Sequence, residues 1–260
     1  MIRPIPLIDA ACAPAWPARD RMALFLDLDG TLAPIETEPQ AVGPQAGRNA
    51  LLARVSSALG GRTAIVSGRT VADIDRILEG RIAAVAGVHG LERRTAAGEF
   101  AALPPHPALG EARRAMLAFA SADRGLEVED KALSVALHYR RAPGASEAVR
   151  DLGGRLSAAL GLARQDGDCV VELRTPGPTK GDAVMSFMAE APFEGGVPVF
   201  VGDDLTDEDA FAAVAAAGGF GVLVGPLRET RATHRLGGVD QVLAWLDGLA
   251  QRAGAQEGAQ

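Results

Sequence analysis

The chain is poor in cysteine: Cys12 and Cys169 are the only two among 260 residues, they lie far apart, and neither has metal-ligand spacing to a histidine. That excludes a disulfide framework, gives no sign of a zinc site, and fits a reducing cytoplasm as the expected location. There is no block of lysine and arginine, and the formal net charge of −7 is spread over interspersed acidic and basic residues. Neither a nucleic-acid backbone nor an anionic membrane is therefore an expected partner, although one basic pocket can sit on an acidic protein. No apolar run is long enough to span a bilayer. The longest, residues 210–224, is mostly alanine and glycine and reads as a helix, a glycine turn and a strand. The N-terminus, with Pro4, Pro6, Pro14 and Pro17, lacks the basic start and unbroken apolar stretch of a secretory signal, so no export is expected.

What is present is enough for a substantial core: 48% of the residues are hydrophobic, sufficient for one large domain or two unequal ones. Residues 23–28 are almost continuously apolar and end in Asp-Leu-Asp-Gly, the pattern of a strand buried on both faces of a parallel sheet. A helix over 45–59 closed by Gly60 and Gly61, a strand at 63–66, a helix over 70–78 and a strand at 82–86 follow. This alternation predicts βαβ units with right-handed crossovers. Pro104, Pro105 and Pro107 break the rhythm. From there to the Pro/Gly cluster at 175–178 the pattern is a helix (108–122), strands (126–129 and 133–139), a helix (146–160) and strand pieces near 162 and 170–173. A helix over 179–190, a strand at 197–201, a helix from Thr206, a strand at 220–224 and a final helix then resume the first rhythm. The expected fold class is α/β, with a Rossmann-like parallel-sheet core made of residues 1–103 and 179–260 and an inserted α+β domain at 104–178.

Four segments carry chemistry. Asp27-Leu28-Asp29-Gly30-Thr31-Leu32 leaves the sheet at the carboxyl edge where α/β proteins bind ligands, and two carboxylates two residues apart can serve one divalent cation. A plain Asp-Gly turn would explain the same residues. Val66-Ser67-Gly68-Arg69-Thr70 ends a strand with a hydroxyl and a glycine before a helix, which suits an anion; it also reads as a turn in which Thr70 is the N-cap. Thr179-Lys180-Gly181 puts a lysine at a helix start, where the macrodipole disfavours a cation and an anion would compensate; a solvated surface lysine would explain it equally well. Gly202-Asp203-Asp204-Leu205-Thr206-Asp207-Glu208-Asp209 crowds five acids at a strand end, without the alternating ligands and central glycine of an EF-hand. Asp207, Glu208 and Asp209 are explained by the helix start alone, whereas Asp203 and Asp204 sit at the strand end itself and suit Mg²⁺.

These four segments, in this order, resemble the signature motifs of the haloacid-dehalogenase-like (HAD) phosphatase superfamily, with the insert where that superfamily carries a C2-type cap. Gly87-Val88-His89-Gly90-Leu91-Glu92, the stretch from Glu129-Asp130-Lys131 to His138-Tyr139-Arg140, and Val171-Glu172-Leu173 are similar to the trehalose-6-phosphate phosphatases. The resemblance implies Asp27 as the nucleophile that forms an aspartyl phosphate and Asp29 as the acid and base. It implies Mg²⁺ held by Asp27, the Asp29 carbonyl and Asp203, with Asp204 orienting the site. Ser67, Thr31 and Lys180 would bind the phosphoryl oxygens, with Gly30 and Arg69 beside them. Glu129, Lys131, Arg140 and Glu172 would read sugar hydroxyls, and His89 would lie near the entrance. Lys131 and Arg140 have opposite strand parity, so both reach one sugar only if a turn or bulge falls near Lys131. The partner implied is a small sugar phosphate, and a monomer is expected. Rival readings are a capped phosphatase for sucrose phosphate or a mannosyl phosphate, and a non-catalytic sugar-phosphate sensor. His106 and His234 match no motif and are expected at the surface; Cys169 is expected as a small filler in a strand.

Overall fold

The computed structural model describes residues 5, 7 and 21–257, of which 252–257 by backbone alone. The expectations placed on Cys12 and on the N-terminal prolines lie outside those residues. From β1 (Met22–Leu26) the chain passes through α1 (Ala46–Ala58), β2 (Thr63–Val66), α2 (Val71–Leu78) and β3 (Ala84–Gly87) to two short strands, β4 (Glu92–Arg94) and β5 (Phe100–Ala102). There follow α3 (Leu109–Ala120), β6 (Glu127–Asp130), β7 (Ser134–His138), α4 (Ser146–Leu160), β8 (Ala163–Gly167) and β9 (Val170–Arg174). The last stretch holds α5 (Lys180–Met188), β10 (Val197–Gly202), α6 (Glu208–Ala216), β11 (Phe220–Val224), β12 (His234–Leu236) and α7 (Val239–Glu257). They form two compact units: one built on the chain up to Ala101 with Thr179–Asp203 and the chain from Asp207, the other on Ala102–Pro178 with Asp204–Thr206.

The first unit is a doubly wound sheet in the order β12-β11-β10-β1-β2-β3-β4-β5. Strands β12 to β3 pair in parallel, and β4 turns back antiparallel on β3. Period-two alternation sends Met22, Leu24 and Leu26 to one face and Ala23 and Phe25 to the other, and both faces are buried. Residues of α1, α2 and α7, such as Leu52, Ile74 and Trp245, pack on the first face; Phe187 of α5 and Phe211 of α6 pack on the second. There Phe25 stacks on Phe193 with ring centroids 5.4 Å apart, and each such fully buried side chain stabilises the core by about 1.5–3 kcal/mol. Burial on both faces is why these strands read as unbroken apolar runs.

The second unit is a four-stranded antiparallel sheet, β6-β7-β9-β8. Val135, Leu137, Val171 and Leu173 share one core with Leu109 and Met116 of α3 and Val149 of α4. The alternate residues Ser134, Ala136, His138, Glu172 and Arg174 therefore point away from the helices.

The α/β class and the succession of longer elements follow the sequence pattern, while β4, β5 and β12 do not. Three residues each, they are too short to display a period. His234, expected at the surface, lies half-buried in β12 with its ring 4.8 Å from that of Phe220. Cys169 is not in a strand but at the turn joining β8 to β9, with φ +59°.

Candidate active site

Strand order reverses between β1 and β10: from β1 the chain builds outward one way through β2 and β3, and later the other way through β10 to β12. Such a switch point opens a crevice at the carboxyl ends of the strands. Leu26 pairs with Val201, and the N–H of Asp27 donates to the Val201 carbonyl at 2.9 Å, so the residues leaving β1 and β10 emerge side by side. The turn after β1 brings Gly30 against Asp203. A Cβ at position 30 would lie 2.1 Å from an Asp203 carboxylate oxygen, and φ there is +73°, so both space and backbone demand glycine. The Thr31 hydroxyl donates to Asp203 Oδ1 at 3.2 Å.

Lys180 is the first residue of α5. Thr179 caps that helix with a reciprocal box: its hydroxyl accepts from the Asp182 N–H while the Asp182 carboxylate accepts from the Thr179 N–H at 2.9 Å. The fixed first turn directs Lys180 Nζ to 2.9 Å from Asp27 Oδ2 and 2.7 Å from Asp207 Oδ1. Lys180 is 2% exposed and Asp207 0%. Burial pushes the Asp27 carboxyl up to about 7 against the pull of Lys180, with Asp207 and Asp29 adding to the rise. Burial would lower Lys180, but Asp207 and Asp27 outweigh it and hold the ammonium charged above the ordinary lysine range. Oxygens of Asp27, Asp203 and Asp207 lie within 4.8 Å of one another. Three hard carboxylates facing one ammonium leave an excess of negative charge, the donor set that suits Mg²⁺ or Ca²⁺.

Ser67, at the end of β2, is buried; its carbonyl accepts from the His89 N–H at 2.9 Å and its hydroxyl from the Arg69 N–H at 3.3 Å. Val88 and His89 both take left-handed backbone, φ +45° and +57°. For a β-branched valine that conformation costs about 1–3 kcal/mol. It is held by Val88 N–H donating to the Arg69 carbonyl and by the Ser67 contact. The His89 ring lies over Gly68, where a Cβ would meet it at 2.8 Å. Thr70 is the N-cap of α2, accepting from the Asp73 N–H. Arg69 grips both carboxylate oxygens of Asp29, at 2.7 and 2.8 Å, and also donates to Asp73 and to the Pro39 carbonyl, so all three guanidinium nitrogens are engaged. Asp204 follows Asp203 and accepts from the Leu205 N–H at 2.7 Å.

In the second unit the β6–β7 hairpin turns at Lys131 and Ala132, the latter at φ +64°. This is the break that the parity argument required. Lys131 Nζ reaches Glu172 Oε2 at 3.4 Å and Glu129 Oε2 at 3.6 Å. Glu129 and Glu172 both pair with Ala136 across the sheet and so stand in one row. Arg140 is not in that group: it binds the Asp168 carboxylate and carbonyl at 2.9 and 3.0 Å, beside the β8–β9 turn.

Three residues escaped the reading of the sequence. Asp207, at the start of α6, had a sufficient explanation in the macrodipole. His138, whose Nε2 lies 2.9 Å from Glu129 Oε2, sits in the stretch 129–140 but shows no pattern of its own. Arg228 donates to the Asp203 carbonyl at 3.2 Å and pairs with Glu208, and nothing in its surroundings in the chain marks it.

The trehalose-phosphatase family model matches residues 25–236. A trehalose-6-phosphate phosphatase of Escherichia coli is 40% identical over 232 residues, 87% of this chain and 86% of that one. A probable trehalose-phosphate phosphatase of Sinorhizobium fredii is 35% identical over 209 residues, 80% and 79% of the two chains. Among solved structures, the C-terminal domain of the Candida albicans trehalose-6-phosphate phosphatase aligns with a TM-score of 0.84 at 22% identity, covering 95% of this chain and 99% of that one, a likeness of fold. Phosphatases of the HAD superfamily share the fold as well. The chain belongs to the trehalose-phosphatase family.

Proposed function

We propose that this protein is a Mg²⁺-dependent phosphatase that hydrolyses trehalose 6-phosphate to trehalose and phosphate through an aspartyl phosphate. The observation that carries the chemistry is the junction of Asp27, Lys180, Asp207 and Asp203 at one sheet edge. Asp27 attacks phosphorus in line as the bond to the sugar oxygen breaks, and Asp29 gives that oxygen its proton. Asp29 then takes a proton from water, which attacks the aspartyl phosphate, releases phosphate and regenerates Asp27. To act as the acid, Asp29 leaves Arg69, which grips both of its oxygens, takes up a proton and turns to the leaving oxygen. Lys180, Ser67 and Thr31 bind the phosphoryl oxygens, with the Gly30 backbone close by. Asp27, Asp203 and the Asp29 carbonyl would hold Mg²⁺, with Asp204 next to them; when bound it supplies the positive charge that lets a dianion approach a carboxylate. Asp207 keeps Lys180 charged and aimed.

The segment 104–178 serves as the cap domain. Its Glu129, Lys131 and Glu172 read sugar hydroxyls, which both donate and accept, with Arg140 and His89 as further contacts. The relatives' names support trehalose 6-phosphate as the substrate; the cytoplasm is read from the scarcity of cysteine, and the monomer is carried forward as an expectation. The test is phosphate release by the purified protein with Mg²⁺ from trehalose 6-phosphate, glucose 6-phosphate and sucrose 6-phosphate. Strong preference for the first is expected, and comparable turnover of all three sinks the assignment.

A further inference from the structure

Glu129 stands on β6, the edge strand of the second sheet, and its flexible side chain is 24% exposed. Its carboxylate is nevertheless fixed from two directions, by His138 Nε2 at 2.9 Å and Lys131 Nζ at 3.6 Å. Both contacts fall on Oε2, and Oε1 takes neither. Burial alone would raise the Glu129 carboxyl, but the His138 hydrogen bond and the Lys131 charge outweigh it and hold it below the ordinary glutamate range. His138 and Glu129 belong to neighbouring strands: Glu129 pairs with Ala136, and His138 stands two residues further along the same face. Ala136, between Glu129 and Glu172, is fully buried, and Lys131 Nζ bridges the two carboxylates through their Oε2 atoms; Oε1 of Glu129 is the oxygen on which neither contact falls.

We propose that His138 is a positioning residue for sugar recognition: by donating from Nε2 to Glu129 Oε2 it locks the carboxylate so that Oε1 is presented to a sugar hydroxyl. This rests on the trehalose 6-phosphate reading for its substrate and acts through Glu129, without contact to the reacting phosphate.

The test is a double-mutant cycle. His138→Phe keeps a ring and removes the donor; it raises KM for trehalose 6-phosphate and lowers kcat/KM about tenfold, as expected for losing a hydrogen bond to a charged group. The loss is at least fivefold larger on trehalose 6-phosphate than on p-nitrophenyl phosphate. His138→Gln, whose amide nitrogen can take the place of Nε2, recovers most of it. In a Glu129→Ala background, His138→Phe adds little further. A substrate-free readout accompanies the kinetics: the Nε2–H resonance of His138 is protected from exchange in the wild type and loses protection in Glu129→Ala. Equal losses on both substrates, additive effects in the cycle, no recovery by glutamine or an unprotected Nε2–H would each overturn the proposal. If the wild type does not turn over trehalose 6-phosphate, the substrate reading has failed; the cycle is then run on the best sugar phosphate found, and the resonance still decides the role of His138.

Discussion

Asp27 occupies a site that penalises its own charge. Burial sets its carboxyl near 7, and above that pH it is ionised in a place that burial makes costly. An isosteric amide avoids that cost, and Lys180 keeps Asp207 as a partner at 2.7 Å. Asp27→Asn is therefore expected to lose turnover by roughly 10³-fold or more while its metal-free melting temperature at pH 8 is no lower than that of the wild type. Phosphate release and thermal unfolding check the two halves, and substantial activity in the variant removes the nucleophile assignment. Gly30→Ala tests the other side of the turn. With φ +73° and an Asp203 oxygen 2.1 Å from the new Cβ, the substitution is expected to destabilise by about 1–3 kcal/mol and to weaken metal binding, read by calorimetric titration with Mg²⁺. At this scale the sequence announced residues whose position goes against a local rule with no ordinary explanation but solvent, such as Lys180 at a helix start. It hid Asp207, whose place at a helix start has one, and His138, whose role depends on a strand pairing.

Among the elements, α5 shows how local rules aim a functional group. A lysine in the first turn opposes the macrodipole, so α5 needs its capping box to begin at Lys180 and its carboxylate partners to hold the charge there. Thr179→Ala is expected to cost about 1 kcal/mol, lowering the melting temperature by roughly 2–4 °C, and to reduce kcat as the ammonium loses its aim. Differential scanning calorimetry and steady-state kinetics check this; lower stability with unchanged kcat would mean the cap supports the helix alone. Elements with an unbroken apolar run or a full helical period were legible: β2, β11 and α4 run as the sequence pattern has them. Strands β4, β5 and β12 were not, because three residues make no period and only their pairing with neighbours defines them.

For the molecule as a whole, a net charge of −7 says less than its focus, three carboxylates converging against one buried ammonium. That focus couples metal, proton and stability. The Asp27 carboxyl lies near 7 in the folded, metal-free protein and at the ordinary 3.8 when unfolded, so between those values the folded state binds the proton more tightly. Its contribution to stability is therefore lost progressively as pH rises from about 4 to about 7 and changes no further above that. If Mg²⁺ is held by the Asp27 carboxylate it must displace the proton below 7, so its apparent affinity should fall about tenfold for each pH unit below that point. Since a ligand that binds only the folded state stabilises it by mass action, the rise in melting temperature caused by Mg²⁺ should be small at pH 5.5, grow to about pH 7 and then level off. Scans with Mg²⁺ and with chelator from pH 5.5 to 8 measure this. A metal-induced shift that stays constant over the whole range would show that the cation is not held by Asp27, and the site's chemistry would have to be rebuilt around Asp203 and Asp207.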